Sequence, residues 1–221
     1  MTRKTITGLY DTYEDAATTV REIEAAGVPH SDISLVANNI DSRYVDTADT
    51  SPSGAGTGAT IGTVLGGGAG LLAGLGLLAI PGVGPVVAAG WLVSTAVGAV
   101  AGATAGAATG GIVDGLTDSG VSEEHAHVYA EGVRRGGTLV TARVDEEFEP
   151  AVEAIMSRHG SVDPDSRAVA YRERGWSTFD DRAAPYKPEE IEAERALYPR
   201  GPSGLRDPLD RDLRDPRNTA L

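Results

Sequence analysis

Leu75-Gly76-Leu77-Leu78-Ala79-Ile80-Pro81-Gly82-Val83-Gly84-Pro85-Val86-Val87 lies near the centre of residues 50–113, a 64-residue interval without Asp, Glu, Lys, Arg or His. Proline and glycine interrupt any regular element between 80 and 85, so the chain folds back there. On either side glycine recurs at every fourth position, at Gly54, Gly58, Gly62, Gly66, Gly70 and Gly74 and again at Gly98, Gly102, Gly106 and Gly110. Residues four apart share one ridge of a helix, and glycine there leaves a groove in which another backbone can lie. The spacing therefore predicts two helical arms, residues 55–79 and 86–113, closed into an antiparallel hairpin that turns at Pro81, Gly82, Gly84 and Pro85. Glycine costs about 1 kcal/mol against alanine inside a helix. Such arms need a packed partner or a membrane to persist, and homo-oligomerisation follows as an expectation.

Apolarity within the interval is concentrated around the turn. Leu71, Leu72, Leu75, Leu77, Leu78, Ile80, Val86, Val87, Trp91 and Leu92 would form a membrane-seeking tip, while the bases of the arms are Gly, Ala and Thr. An arm of 28 residues would reach about 42 Å, against a hydrocarbon core of about 30 Å. Both a spanning hairpin and a wedge in one leaflet are compatible with that length. The nearest charges, Asp49 and Asp114, are acidic and give no orientation.

The flanking sequence reads as two halves of one α+β domain. In the first, residues 1–49, a strand at Thr5 to Leu9 leads to a helix capped by Asp11 or Thr12, with Tyr13, Ala16, Ala17, Val20 and Ile23 on one face and Gly27 at its end. The run Ile33 to Ala37 makes a second strand. In the other half, residues 114–163, Ser122 caps a helix carrying Ala126, Tyr129 and Val133, and Thr138 to Val144 makes a strand. Asp145 then caps a helix with Phe148, Val152, Ile155 and Met156 on one face, and a last strand falls at Ser161 to Asp163. Joined, the halves give βαβ…αβαβ, a ferredoxin-like fold interrupted by the glycine-zipper hairpin.

Charge and composition narrow the function. The chain has 221 residues with 32 acidic and 19 basic side chains, a net charge of −13 and no cysteine. Nucleic acid is excluded as a main partner, because phosphate neutralisation needs a clustered basic surface. Disulfides, thiolate metal sites and cysteine nucleophiles are excluded outright. His125 and His127 are two apart on a helix, about 200° round its axis, and do not form a metal pair. No glycine-rich phosphate loop is present, lysine occurring only at positions 4 and 187. Glu146, Glu147, Glu149 and Glu153 read as the solvated face of their helix. No catalytic residue and no cofactor is expected.

The strand ending in Asp32-Ile33-Ser34-Leu35-Val36, the hairpin turn Ile80-Pro81-Gly82-Val83-Gly84-Pro85 and the stretch Tyr129-Ala130-Glu131-Gly132-Val133-Arg134-Arg135-Gly136-Gly137 before a Leu-Val strand resemble bacterial general stress proteins of the YflT type. The resemblance covers residues 3 to 163 and implies induction under stress, with no catalytic residues to carry over.

Residues 164–221 lie outside it. With residue 163 they carry 11 basic and 13 acidic groups, and they hold seven prolines, a composition expected to be largely disordered. Trp176 and Phe179 are its docking aromatics, most simply onto the same protein or its oligomer, and Pro188 starts a short helix. A protein partner of this tail is the other expectation.

The expected function is thus non-enzymatic: a stress-response protein that self-associates and meets a membrane through its hairpin, on the cytoplasmic side because residues 1–7 lack the apolar run of a secretory signal. Two alternatives stand beside it. The hairpin could be buried between subunits of a soluble cytoplasmic oligomer, or the α+β domain could be a binding module that recruits a partner.

Overall fold

The computed structural model describes residues 3–40, 76–92 and 111–198. They form a mixed α+β structure built on one five-stranded antiparallel sheet with six helices. In chain order these are β1 (Arg3–Tyr10), α1 (Tyr13–Ala25), β2 (Ile33–Asn38), β3 (Gly76–Ile80), β4 (Gly84–Gly90), α2 (Ile112–Asp118), α3 (Glu123–Arg134), β5 (Thr138–Asp145), α4 (Glu149–Arg158), α5 (Pro164–Arg172) and α6 (Pro188–Ala196). The sheet order is β1-β5-β2-β4-β3.

Two layers of helix cover the sheet because its strands alternate apolar residues onto both faces. Ile33, Leu35 and Ala37 of β2, Val140, Ala142 and Val144 of β5 and Val87 and Ala89 of β4 pack under Ala16, Val20 and Ile23 of α1 and Val152 and Met156 of α4. Leu9, Val36, Leu139, Val86 and Ala88 face the other way, under Leu116 of α2 and Ala126, Tyr129 and Val133 of α3. The helix starts follow local chemistry. Thr12 accepts from the Asp15 amide to cap α1, Ser122 from His125 to cap α3, and Asp163 from Ser166 at 2.8 Å to cap α5.

Four expectations are corrected. Residues 76–79 and 86–90, read as the inner ends of two helical arms, are instead strands of a β-hairpin: β3 and β4 pair from Gly76↔Ala88 to Ile80↔Gly84, and β4 joins β2 through Ser34↔Gly90 to Asn38↔Val86. Pro81, Gly82, Gly84 and Pro85 still make the turn, with φ +73 at Gly82 and +98 at Gly84, conformations open to glycine. β-branched Val86 and Val87, and short apolar runs bounded by glycine and proline, favour a strand over a helical arm. The strand expected at Ser161 to Asp163 shrinks to a single bridge, Leu9↔Val162. Asp145 ends β5 and does not cap α4, whose first turn holds Pro150; proline fits only there, so the helix begins at Glu149. Finally, residues 164–198 are not a disordered extension. They form α5, α6 and a connecting segment packed on the body, with Ala168, Tyr171, Phe179 and Ile191 buried.

Candidate functional site

The ten spaced glycines, from Gly54 to Gly74 and from Gly98 to Gly110, lie outside the described residues, as do Leu71, Leu72 and Leu75 of the expected tip. The rest of that tip belongs to the sheet and its margin. Leu77 and Leu78 lie on β3, while Ile80, Val86, Val87 and Leu92 are buried in the domain core. Trp91 is half-buried and donates its Nε1 to the Asp32 carbonyl at 3.1 Å. Among the described residues, no helix is long and apolar enough to cross a membrane.

The hairpin fixes where the two uncharged segments join the domain. Gly76 sits opposite Ala88, four residues before Leu92, so both segments attach at the end of the hairpin away from its turn. That end is pinned by charge. Asp32, nearly buried, accepts from Arg3 at 3.0 Å and Arg143 at 3.1 Å, and the Arg143 guanidinium lies over the Trp91 ring at 4.5 Å. Gly90 completes the junction at φ +93, where a side chain would run into the Ile33 carbonyl.

The turn at the other end is covered by the C-terminal segment. A side chain at Gly82 would strike Asp180 O at 2.7 Å and Phe179 at 3.0 Å, and one at Gly84 would meet Pro185 at 3.0 Å. Phe179 thus docks in the cluster holding Ile80 and Val83, while Trp176 meets Tyr171 edge-on at 5.7 Å beside Val128. Two histidines of α3 hold the same region. His125 Nε2 lies 3.0 Å from Asp165 of α5, and His127 Nδ1 lies 3.1 Å from the Thr178 hydroxyl.

Between α3, α5 and α6 the fold gathers a cluster of arginines, tyrosines and carboxylates that composition alone did not disclose. Arg135 bonds Glu131 at 2.7 Å and Glu194 at 3.2 Å, and its guanidinium stacks on Tyr171 at 4.3 Å. Arg167 pairs with Asp11 at 2.9 Å and lies 3.7 Å from the Tyr198 ring centroid. Arg174 reaches Glu194 at 2.8 Å and Tyr198 at 2.9 Å. Burial opposes the charge on Arg135 and Arg167, but their carboxylate partners outweigh it, and both are held more firmly protonated than a free arginine. Burial also pushes the Tyr171 hydroxyl up, so it stays neutral in this setting. The group encloses a void of about 10 Å³, lined by Gly132, Gly137, Arg135, Arg167, Tyr171 and Tyr198 among others. That is room for about one water. Its chemistry is recognition of a carboxylate by guanidinium groups, and α6 supplies that carboxylate.

Compared with known proteins, the chain matches no family model, no curated protein and no solved structure.

Proposed function

We propose that the protein is a non-enzymatic, self-associating stress-response protein whose α+β domain holds two uncharged, glycine-spaced segments side by side, where they pack on each other and on those of further copies. The observation that carries the reading is the junction. Gly76 and Leu92 leave one end of one β-hairpin, pinned by the Asp32, Arg143 and Trp91 group. Two chain segments with a glycine at every fourth position start from neighbouring points, which lowers the entropic cost of bringing them together.

Assembly between chains is favoured over insertion in a bilayer by what the domain core consumes. Ile80, Val86, Val87 and Leu92 are inside it, leaving the uncharged segments dominated by Gly, Ala and Thr. Small residues pack protein against protein well, but they contribute little transfer energy to hydrocarbon. The scaffold itself reads as ferredoxin-like. The Val162 bridge beside β1, then β5 and β2, gives the alternation of two crossed βαβ units, with the β3–β4 hairpin added at the β2 edge. The stress assignment rests on the resemblance of residues 3 to 163.

Light scattering on the untagged, full-length protein tests the assembly. Gly62→Leu and Gly102→Leu are expected to reduce the particle mass, and Gly201→Leu, off the repeat, to leave it alone. An unchanged mass in both zipper variants would defeat the reading. Flotation with liposomes that survives a carbonate wash would replace it with the membrane-inserted one.

A further inference from the structure

We infer that the groove beneath α6 is a recognition site for the segment Tyr186 to Tyr198, and that a second copy of this chain can fill it with the same segment. The inference deepens the self-association reading and adds a second contact, independent of the glycine-spaced segments.

Three features of the groove are set by the body of the domain, whether or not α6 is present. Gly136, at φ +96, follows the cap of α3, and the absence of a side chain there opens the seat of Ile191, whose Cγ2 lies 2.5 Å from where a Cβ would stand. Arg135 is oriented beforehand by Glu131 on its own helix at 2.7 Å and by the Tyr171 ring of α5. Arg167 is likewise fixed by Asp11 at 2.9 Å. An occupant therefore meets a preorganised surface and loses little to rearranging it.

The occupant is lightly held in comparison. Within α6 only Ile191 is buried, and a nine-residue helix has little stability of its own. Its other anchors are polar. Glu194 reaches Arg135 and Arg174, Arg195 donates to the Gly136 carbonyl at 3.2 Å, and Tyr198 receives the Arg167 guanidinium on its ring. Tyr186 adds a second ring, 4.8 Å from the Arg134 guanidinium. The match is one apolar plug, one carboxylate facing two arginines, and two aromatic faces on cations. Nothing in these contacts depends on which copy supplies the segment. Exchange between copies replaces each contact with an identical one, the low-cost route by which such elements join protomers.

The probe is a fluorescent synthetic peptide of residues 186–198, measured by anisotropy against full-length protein. Wild type, with its groove filled from within, is expected to bind it weakly, and Glu194→Arg, which drives its own α6 from Arg135 and Arg174, at least about tenfold more tightly. If Glu194→Arg does not give native circular dichroism, Ile191→Ser takes its place. A folded variant that binds the peptide no better than a scrambled sequence overturns the groove. Light scattering supplies the other arm: excess peptide is expected to lower the particle mass of the wild-type assembly. Binding with an unchanged mass would make the contact purely intramolecular and overturn exchange between copies. The Gly62→Leu variant separates the two proposals, since it should alter particle mass and leave peptide affinity untouched.

Discussion

Arg135 and Glu131 form an ion pair one helical turn apart, Nε to Oε1 at 2.7 Å, with the Glu131 side chain 1% exposed. The glutamate would be costly to bury alone, and it also receives Arg134 at 3.4 Å, so two cations compensate one enclosed carboxylate. Removing the acid leaves Arg135 facing only Glu194. Glu131→Ala is therefore expected to destabilise the fold by about 3–5 kcal/mol, measured by urea unfolding. The paired change Glu131→Leu with Arg135→Met should cost less than Glu131→Ala alone, because the most deeply buried pair leaves together, Glu194 keeps Arg174, and only the Arg134 guanidinium loses a carboxylate. Equal losses in the two proteins would show that packing, and not charge, fixes this corner.

Phe179 is the plug over the hairpin turn. It is 8% exposed and reaches the cluster of Ile80 and Val83. Truncation to alanine is expected to cost about 3 kcal/mol and to speed amide exchange at Val83, which otherwise closes the turn by donating to the Ile80 carbonyl. The conservative Phe179→Leu should recover most of the loss. Unaltered exchange at Val83 in Phe179→Ala would mean that the C-terminal segment lies on the turn without holding it.

The two α+β halves were legible because their signals are local. Thr12 and Ser122 cap where their hydroxyls can reach the next turn, and Tyr13 to Ile23 and Ala126 to Val133 keep helical spacing against a buried face. Residues 76–90 misled for an equally physical reason. They lie between two runs of four-residue glycine spacing that are helical in form, while the opposing evidence, Pro-Gly punctuation and paired valines, occupies only a few positions. A strand is also chosen by its neighbour, and β2 offers an edge next to it. The arginine and tyrosine cluster was illegible because its partners are far apart in sequence. Arg135 and Glu194 are 59 residues apart and Arg167 and Asp11 are 156 apart, and such charges look like a solvated tail until the fold brings them together.

Alkali should unfold the protein through its tyrosines. Burial raises Tyr129 from 10.0 to about 12, with Asp163 and Asp165 adding to it, and raises Tyr10 and Tyr171 further still. Above the unfolded value of 10.0 the unfolded chain loses these protons while the folded one keeps them, so the folded state binds more protons and stability falls with rising pH. The contribution is complete below pH 10 and is lost as pH climbs through about 12. Thermal melts between about pH 8 and 11.5 should show a steep decline that begins near 10, and Tyr129→Phe should make it shallower. A melting temperature flat across that range would mean that these hydroxyls ionise without unfolding the chain.

Gly90 carries the last prediction, because it joins the sheet to one of the uncharged segments. Its φ of +93 already disfavours any side chain, and an added Cβ would run into the Ile33 carbonyl and stand 2.6 Å from the Ser34 Cα. Those neighbours are backbone at the first pairs of the β2 ladders and cannot turn aside as a side chain can. Gly90→Ala should thus cost about 3 kcal/mol or more, combining left-handed strain with displacement of β2 from β4. Gly111→Ala makes the comparison at the far end of the same segment. It has nothing within 4 Å and a φ of −90, so its cost should stay within about 1 kcal/mol, the difference between glycine and alanine at an N-cap. If assembly requires the two segments to leave the hairpin from a fixed junction, Gly90→Ala should also lower the particle mass at temperatures where the domain remains folded, and Gly111→Ala should not. Native mass in a measurably destabilised Gly90→Ala would separate the junction from assembly, leaving the glycine spacing itself as the whole determinant.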